Sequence, residues 1–227
     1  MNGSKAVLWD MDGTLVNSEE LHWISWRNTM TNEDVAITRE QFLSTFGQRN
    51  DSIIPVWLGS AASAERIERI GQAKEELYRH LVSRVGIAPE PGVAIWLSRL
   101  HQQGWRQAIA SAAPRANIEA VLEVLSAKQI FQGIVSAEDV RRGKPDPEVY
   151  LLAANRVGVP AERCIVVEDA ASGIEGARRA GMRSIGVSHN VKDLRADVVV
   201  DSLERLEPDT FDRLLNQTES RQAFGLS

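Results

Sequence analysis

Short, unbroken apolar runs alternate along this chain with longer stretches in which apolar residues recur every three or four positions. The short runs predict strands at Lys5–Trp9, Arg106–Ala110, Gly133–Val135, Cys164–Val167, Arg183–Val187 and Val198–Val200. Several are rich in Val and Ile and none alternates with polar residues, which is how strands covered on both faces of a parallel sheet read. The stretches between them carry helix signals. Pro91 is placed to be a first helical residue, with Leu97 and Leu100 on one face and Gly104 as the stop. Asp146–Pro147 reads as an N-cap and first residue of a helix ending at Gly158, and Ser172–Glu175 has capping-box spacing in a helix closed by Gly181. Strands and helices in alternation predict an α/β fold.

The alternation fails between residues 17 and 86. Glu19–Met30, Thr38–Phe46, Asn50–Leu58 and Ser63–Arg84 all read as helices, with capping-box spacing at Thr38–Gln41 and Gly47 as a C′ residue. A crossover between parallel strands needs only about a dozen residues. The surplus predicts a helical bundle inserted after the first strand, with hinges at Thr14–Ser18 and Ala88–Gly92. The expected architecture is a Rossmann-like parallel sheet flanked by helices, built from residues 1–16 and 87–227, with residues 17–86 as an α-helical cap.

Composition narrows the partners. The chain has 227 residues, 43% of them hydrophobic and 25% charged, as an ordinary globular protein has. Its net charge is −5 and no basic stripe stands out, which disfavours a nucleic-acid binder. No apolar run approaches the roughly 18 residues of a membrane span, and Met1–Asp10 enters a strand-like segment without a secretory h-region. Cys164 is the single cysteine, so no disulfide framework forms within the chain. The expectation is a cytoplasmic protein, monomeric with a dimer as the alternative, with no nucleic-acid or membrane partner.

Four places carry candidate chemistry. Asp10-Met-Asp12-Gly-Thr14 directly follows the first strand, and in open α/β sheets ligands bind beyond the carboxyl ends of the strands. Residues two apart on extended chain share a side, which puts both carboxylates together; taken alone, the segment is equally well a strand followed by an acidic turn. Glu168-Asp169 ends a second buried-type strand. Acids crowded at two neighbouring strand ends repel unless a cation joins them, and Mg²⁺, a hard ion that takes a few carboxylates, keeps waters and bridges to phosphate, suits them. Lys144 lies between Gly143 and Pro145 just before a predicted helix, surroundings that favour an anion. This is not a Walker A loop, because position 138, five residues before Gly143, is Glu. Ser111 sits between a strand and a helix, either as a phosphate contact or as a plain helix-start residue. His22, His80, His101 and His189 have no zinc spacing. Cys164 and the tryptophans read as packing residues, with Trp9, beside Asp10, also a candidate ligand contact.

In this order the four segments resemble the motifs of the haloacid dehalogenase superfamily of phosphotransferases. Asp10-x-Asp12-Gly-Thr14 is similar to the first, Ser111 to the second, Lys144 to the third and Glu168-Asp169 to the fourth. The inserted helices resemble that family's C1 cap. Asp-Gly-Thr-Leu-Val-Asn-Ser-Glu resembles its β-phosphoglucomutase and phosphoglycolate phosphatase-like branch. The resemblance implies Asp10 as nucleophile forming an aspartyl-phosphate and Asp12 as acid and then base. It implies Thr14, Ser111 and Lys144 as phosphate ligands, and Mg²⁺ held by Asp10, the Asp12 carbonyl and Asp169, with Glu168 in support.

The presence of Asp12 argues against a dehalogenase, since a halide leaves without a proton. The resemblance extends to His22, Arg49 and Lys74, cap or hinge positions that in the mutase gate the acid–base aspartate and bind a second phosphate. The chain departs from the mutase at Asn17, where an aspartate is usual, and at Ala112–Asn117, where Arg115 is either a substitute for lost phosphate contacts or a solvated helix residue. The expected activity is an Mg²⁺-dependent phosphohydrolase acting on a small phosphorylated metabolite such as a sugar phosphate. The alternatives are a β-phosphoglucomutase and, from another class, a non-catalytic phosphometabolite-binding protein.

Overall fold

The computed structural model describes residues 4–188 and 194–223; His189, the last of the four scattered histidines, lies outside them. Six strands, β1 (Ala6–Trp9), β2 (Arg106–Ala110), β3 (Gly133–Val135), β4 (Cys164–Glu168), β5 (Arg183–Val187) and β6 (Val198–Val200), form one sheet in the order β3-β2-β1-β4-β5-β6. Every neighbouring pair is parallel. The strand order reverses between β1 and β4, the topological switch point at which open α/β sheets bind ligands.

Alternation along each strand divides the apolar side chains between two faces. Val7, Trp9, Ile109, Ile165 and Val167 enter one cluster with Trp96, Leu100, Ile118 and Phe211. Ala6, Leu8, Ala108, Cys164 and Val166 enter another with Tyr150, Ala153 and Ala177. The covering helices are α5 (Val93–Gln102), α6 (Arg115–Val124), α7 (Glu148–Val157), α8 (Ala171–Arg179) and α9 (Thr210–Ala223). Trp9 is fully buried, its indole N–H donating to Gln107 Oε1 at 3.0 Å. It is a packing residue and not a ligand contact, because Cβ alternation sends it to the opposite side of the strand from its neighbours.

Between β1 and α5 lie α1 (Glu19–Thr31), α2 (Arg39–Thr45), α3 (Asn50–Leu58) and α4 (Ala64–Val85). Trp26, Met30, Phe42, Ile53, Ile54 and Ile70 give these helices an apolar cluster of their own. Only the first half of α4 belongs to it. Tyr78 and Val82, two and three turns along, pack in the cluster over the sheet. The helix thus joins inserted bundle and sheet as one rod. The segments entering and leaving the bundle pair with each other: Asn17 N–H donates to Ala88 at 3.1 Å and Glu90 N–H to Leu15 at 3.0 Å.

Three predicted helix starts shift. The first of these helices begins at Val93, with Gly92 in left-handed conformation before it and Pro91 outside. Pro147 is the N-cap of α7, while Asp146 Oδ1 accepts from the Glu148 N–H at 3.1 Å. In α8 no box forms at Ser172: the helix starts at Ala171, and the Glu168 carboxylate accepts from the Ala170 N–H at 2.7 Å. A carboxylate arriving from β4 serves the helix start that Ser172 was expected to serve. At Thr38 the capping box forms as predicted, with Gln41.

Candidate active site

The parallel register aligns the chemistry. Trp9 pairs with both Ile109 and Val167, so the chain emerges from adjacent strands as Asp10, Ala110-Ser111 and Glu168-Asp169. Asp10 remains tied to the sheet, its N–H donating to Val167 at 3.0 Å. Beyond it the chain folds back sharply, with Leu15 and Val16 N–H both donating to Met11. Gly13 enables this turn at φ +81°, and a Cβ there would also overlap the Asp169 carboxylate. Gly173 at the start of α8 is needed likewise, since a Cβ would overlap the Glu168 carboxylate.

Asp10, Glu168 and Asp169 present oxygens that all lie within 4.8 Å of one another. Lys144 reaches in from the loop before α7 and donates to Asp10 at 2.5 Å and to Glu168 at 2.6 Å. Tyr150, on α7, donates its hydroxyl to the same Glu168 oxygen at 3.0 Å. Thr14 Oγ1 donates to Asp169 Oδ1 at 3.3 Å. One lysine does not balance three carboxylates in a buried place. Burial, partly offset by Lys144 and reinforced by Glu168, pushes the Asp10 carboxyl up to about 8. Burial and then Glu168 and Asp10 push Asp169 well up as well. Burial opposes the Lys144 charge, yet Asp10 and Glu168 hold its pKa well above the usual value. A set of hard oxygens held together against their own repulsion fits a divalent cation.

Ser111 is buried, and its Oγ accepts from the Ala113 N–H at 3.0 Å; a hydroxyl that accepts still has its proton to give. Arg115 does not take over a phosphate role. Its guanidinium donates to Ile134 O at 3.0 Å and to Asp139 at 2.8 Å, in an ion-pair cluster with Arg156.

Asp12 points elsewhere, into a second polar chain. His22 Nε2 lies 3.1 Å from Asp12 Oδ1, and Lys74 Nζ lies 2.9 Å from His22 Nδ1. A lysine ammonium can only donate, so Nδ1 is the acceptor and the ring proton sits on Nε2, aimed at Asp12. His22 is fixed by stacking on Tyr78, 3.9 Å between centroids and 10° between planes. Burial alone would raise the Asp12 carboxyl, but His22, with help from Ser18 and Lys74, holds it below the usual value.

A cavity of about 730 Å³ lies between bundle and sheet, with Asp12, His22, Lys74, Arg49 and Asn117 in its wall. Arg49 is the N-cap residue of α3, where it ion-pairs with Asp51 at 2.9 Å and donates to the Ala137 carbonyl at 2.8 Å, touching the sheet half of the molecule. The structure therefore gathers the expected residues into two groups. Asp10, Thr14, Lys144, Glu168 and Asp169 meet at the strand ends with Ser111 beside them, while Asp12, His22, Lys74 and Arg49 face the cavity. Tyr150, Glu75 and Asn117 escaped sequence reasoning. Tyr150 looks like any aromatic on the apolar face of α7, and nothing local shows that it reaches Glu168.

Residues 7–187 match the model of the haloacid dehalogenase-like hydrolase family. The chain belongs to that family. It is 32% identical over 190 residues to protein CbbY of Rhodobacter capsulatus, covering 80% of this chain and 84% of that protein. It is 30% identical over 213 residues to hexitol phosphatase B of Escherichia coli, covering 88% and 93%. The crystal structure of β-phosphoglucomutase from Clostridium difficile superposes with a TM-score of 0.85 at 27% identity, covering 96% of this chain and all of that one. These relatives place the chain in the β-phosphoglucomutase-like branch of the haloacid dehalogenase-like hydrolases. Among the described residues no helix is long and apolar enough to cross a membrane.

Proposed function

We propose that the protein is an Mg²⁺-dependent phosphatase of small phosphorylated metabolites, sugar or polyol monophosphates first among them. The observation that carries this is the division of labour between Asp10 and Asp12. Asp10 is held at 2.5 Å by Lys144 among the metal-type carboxylates, and Asp12 is held in the cavity wall by His22. An Asp10 oxygen attacks phosphorus, and the departing sugar oxygen takes its proton from Asp12, which His22 supports. Asp12, now ionised, takes a proton from water as that water displaces phosphate from Asp10. Its carboxyl, held below the usual value chiefly by His22 against burial, stays ionised until that water gives up its proton. Lys144 and Ser111 are placed to hold phosphoryl oxygens where charge develops. Asp10, the Asp12 carbonyl, Glu168 and Asp169 would hold the Mg²⁺, which supplies neutralising charge for the phosphoryl group.

The names of relatives support the substrate class, since hexitol phosphatase B is among them. A β-phosphoglucomutase is the second reading, favoured by His22, Lys74 and Arg49 sharing one cavity. The loop Ala112-Ala113-Pro114 offers no side-chain donor to a second phosphate, which favours the phosphatase. We propose a cytoplasmic enzyme, in keeping with its single, buried cysteine, monomeric with a dimer as the alternative. Phosphate release from a panel of hexose and hexitol phosphates, run beside interconversion of β-glucose 1-phosphate and 6-phosphate, tests both. Interconversion without release would overturn the phosphatase, and neither activity would leave a binding protein.

A further inference from the structure

Glu75 is a buried carboxylate for which the phosphatase chemistry has no use. It is 6% exposed, on α4, and its two oxygens are fully engaged. Oε1 accepts from Lys74 Nζ at 2.9 Å and from Asn50 Nδ2, on α3, at 2.7 Å. Oε2 accepts from Asn117 Nδ2 at 2.5 Å. Asn117 belongs to α6, the helix that follows the Ser111 loop, and is itself fully buried; its carbonyl oxygen accepts from Arg79 at 3.0 Å. A buried charge persists only where it is paired and hydrogen-bonded, and here the partners come from both sides of the cavity.

The contacts run in one direction. Asn117 and Asn50 hold Glu75, Glu75 holds Lys74, Lys74 donates to His22 Nδ1, and His22 thereby turns its Nε2 proton toward Asp12. Lys74 has three protons to give and a flexible stem. The Trp26 and Tyr78 rings, 5.1 and 5.4 Å from Nζ, attract the ammonium without directing its protons; Glu75 is the carboxylate that fixes which of them faces His22. We propose that Glu75 is a positioning residue that acts through Lys74 and His22 on Asp12, the proton donor. The inference rests on the phosphatase reading. It adds that Glu75, itself held by Asn50 from α3 and by Asn117 from α6, is what fixes Lys74 on His22.

The test exploits the leaving group. An alkoxide departing from a sugar phosphate needs a proton in the transition state, and p-nitrophenolate hardly does. kcat/KM reports steps up to departure of the alcohol. Glu75→Gln and, independently, Asn117→Ala are measured with Mg²⁺ on the best hexose or hexitol monophosphate and on p-nitrophenyl phosphate, with thermal melting as the check on folding. The expected result is a loss of about thirtyfold or more on the sugar phosphate, with a loss several-fold smaller on the aryl ester. Glu75→Gln/Asn117→Asp, which reverses the amide–carboxylate pair and keeps an acid opposite Arg79, recovers part of the loss of Glu75→Gln. Equal losses on both substrates, or wild-type kcat/KM on the sugar phosphate, would overturn the role of Glu75. Absence of turnover in the wild-type protein on every phosphomonoester would instead overturn the phosphatase reading itself.

Discussion

Two carboxylate clusters lie at the ends of β1 and in the cavity above, and they are balanced in opposite ways. At the strand ends Asp10, Glu168 and Asp169 share one lysine, and the Asp10 and Asp169 carboxyls are driven up. In the cavity Asp12 faces His22 and Glu75 faces Lys74, and both carboxyls are held down. For Glu75 burial opposes ionisation, but Lys74, His22 and the Asn117 bond outweigh it. The first cluster is short of positive charge as it stands and calls for a cation and a phosphoryl group that Lys144 and the cation can share. The second is joined by hydrogen bonds from end to end and needs only to stay aligned. Crowded charge marks the place where something binds; a continuous chain of hydrogen bonds marks the place where something is held.

The harshest way to break the contrast is Asp10→Asn. It relieves the crowding and removes the nucleophile, so turnover falls by roughly 10⁴-fold or more, while the fold becomes no less stable. Steady-state assays with trapping of the phosphoenzyme check the first half, and melting curves the second. Ordinary turnover in this variant would end the assignment of Asp10.

Metal comes next. Mg²⁺ in hundredfold excess over its Kd stabilises the native state by about 2.7 kcal/mol if it binds only there, and EDTA abolishes activity. The pH dependence has a definite sign. A carboxyl raised from 3.8 to about 8 keeps its proton in the folded state where the unfolded chain has lost it. Without metal, stability therefore falls as pH climbs through that window. Mg²⁺ flattens the slope. Melting temperatures between pH 5 and 8, with and without the ion, measure it; a slope unchanged by Mg²⁺ would mean that the ion binds elsewhere.

Arg49→Ala sharpens the comparison on the cavity side. If the Arg49 guanidinium leaves Asp51 for a substrate group remote from the chemistry, KM for a phosphosugar rises about tenfold to a hundredfold more than for p-nitrophenyl phosphate. Equal changes would show that Arg49 only braces the bundle on Ala137.

The smallest effect belongs to a paired carboxylate outside the Asp12–His22–Lys74–Glu75 chain. The Asp139 carboxyl is held well below its usual range by Arg156 first, against burial, and by Ser136. Asp139→Asn costs about 1.5 kcal/mol in chemical denaturation at pH 7. The wild-type contribution is complete above the unfolded value of 3.8 and drains away as pH falls below it, the reverse of the Asp10 slope. A cost undiminished at pH 3 would contradict the pairing.

Much of this was legible before any coordinates. Strands of a parallel sheet read as short, largely apolar runs, and Arg106–Ala110, Gly133–Val135, Arg183–Val187 and Val198–Val200 announced themselves to the residue. The helices from Glu19 onward did so through periodicity and caps. The starts of α5, α7 and α8 were misread by one or two residues; at α8 the reason is that an N–H at the helix start is satisfied by Glu168, a partner that a local motif does not contain. Arg115 could be read as a phosphate contact or as a solvated helix residue; it is neither, because Asp139 pairs with it.

What the sequence by itself determined is therefore whatever a short stretch of chain decides alone: which segments are strands and helices, and that acids and a lysine stand at their ends, where parallel strands must converge. The tertiary structure alone decided which charge meets which. It set Lys144 between Asp10 and Glu168, Tyr150 on Glu168, and Asn117 against Glu75 across the cavity. The reason is physical: periodicity and capping act over a few residues, whereas the cost of burying a charge is settled by partners that only the folded chain brings within 3 Å.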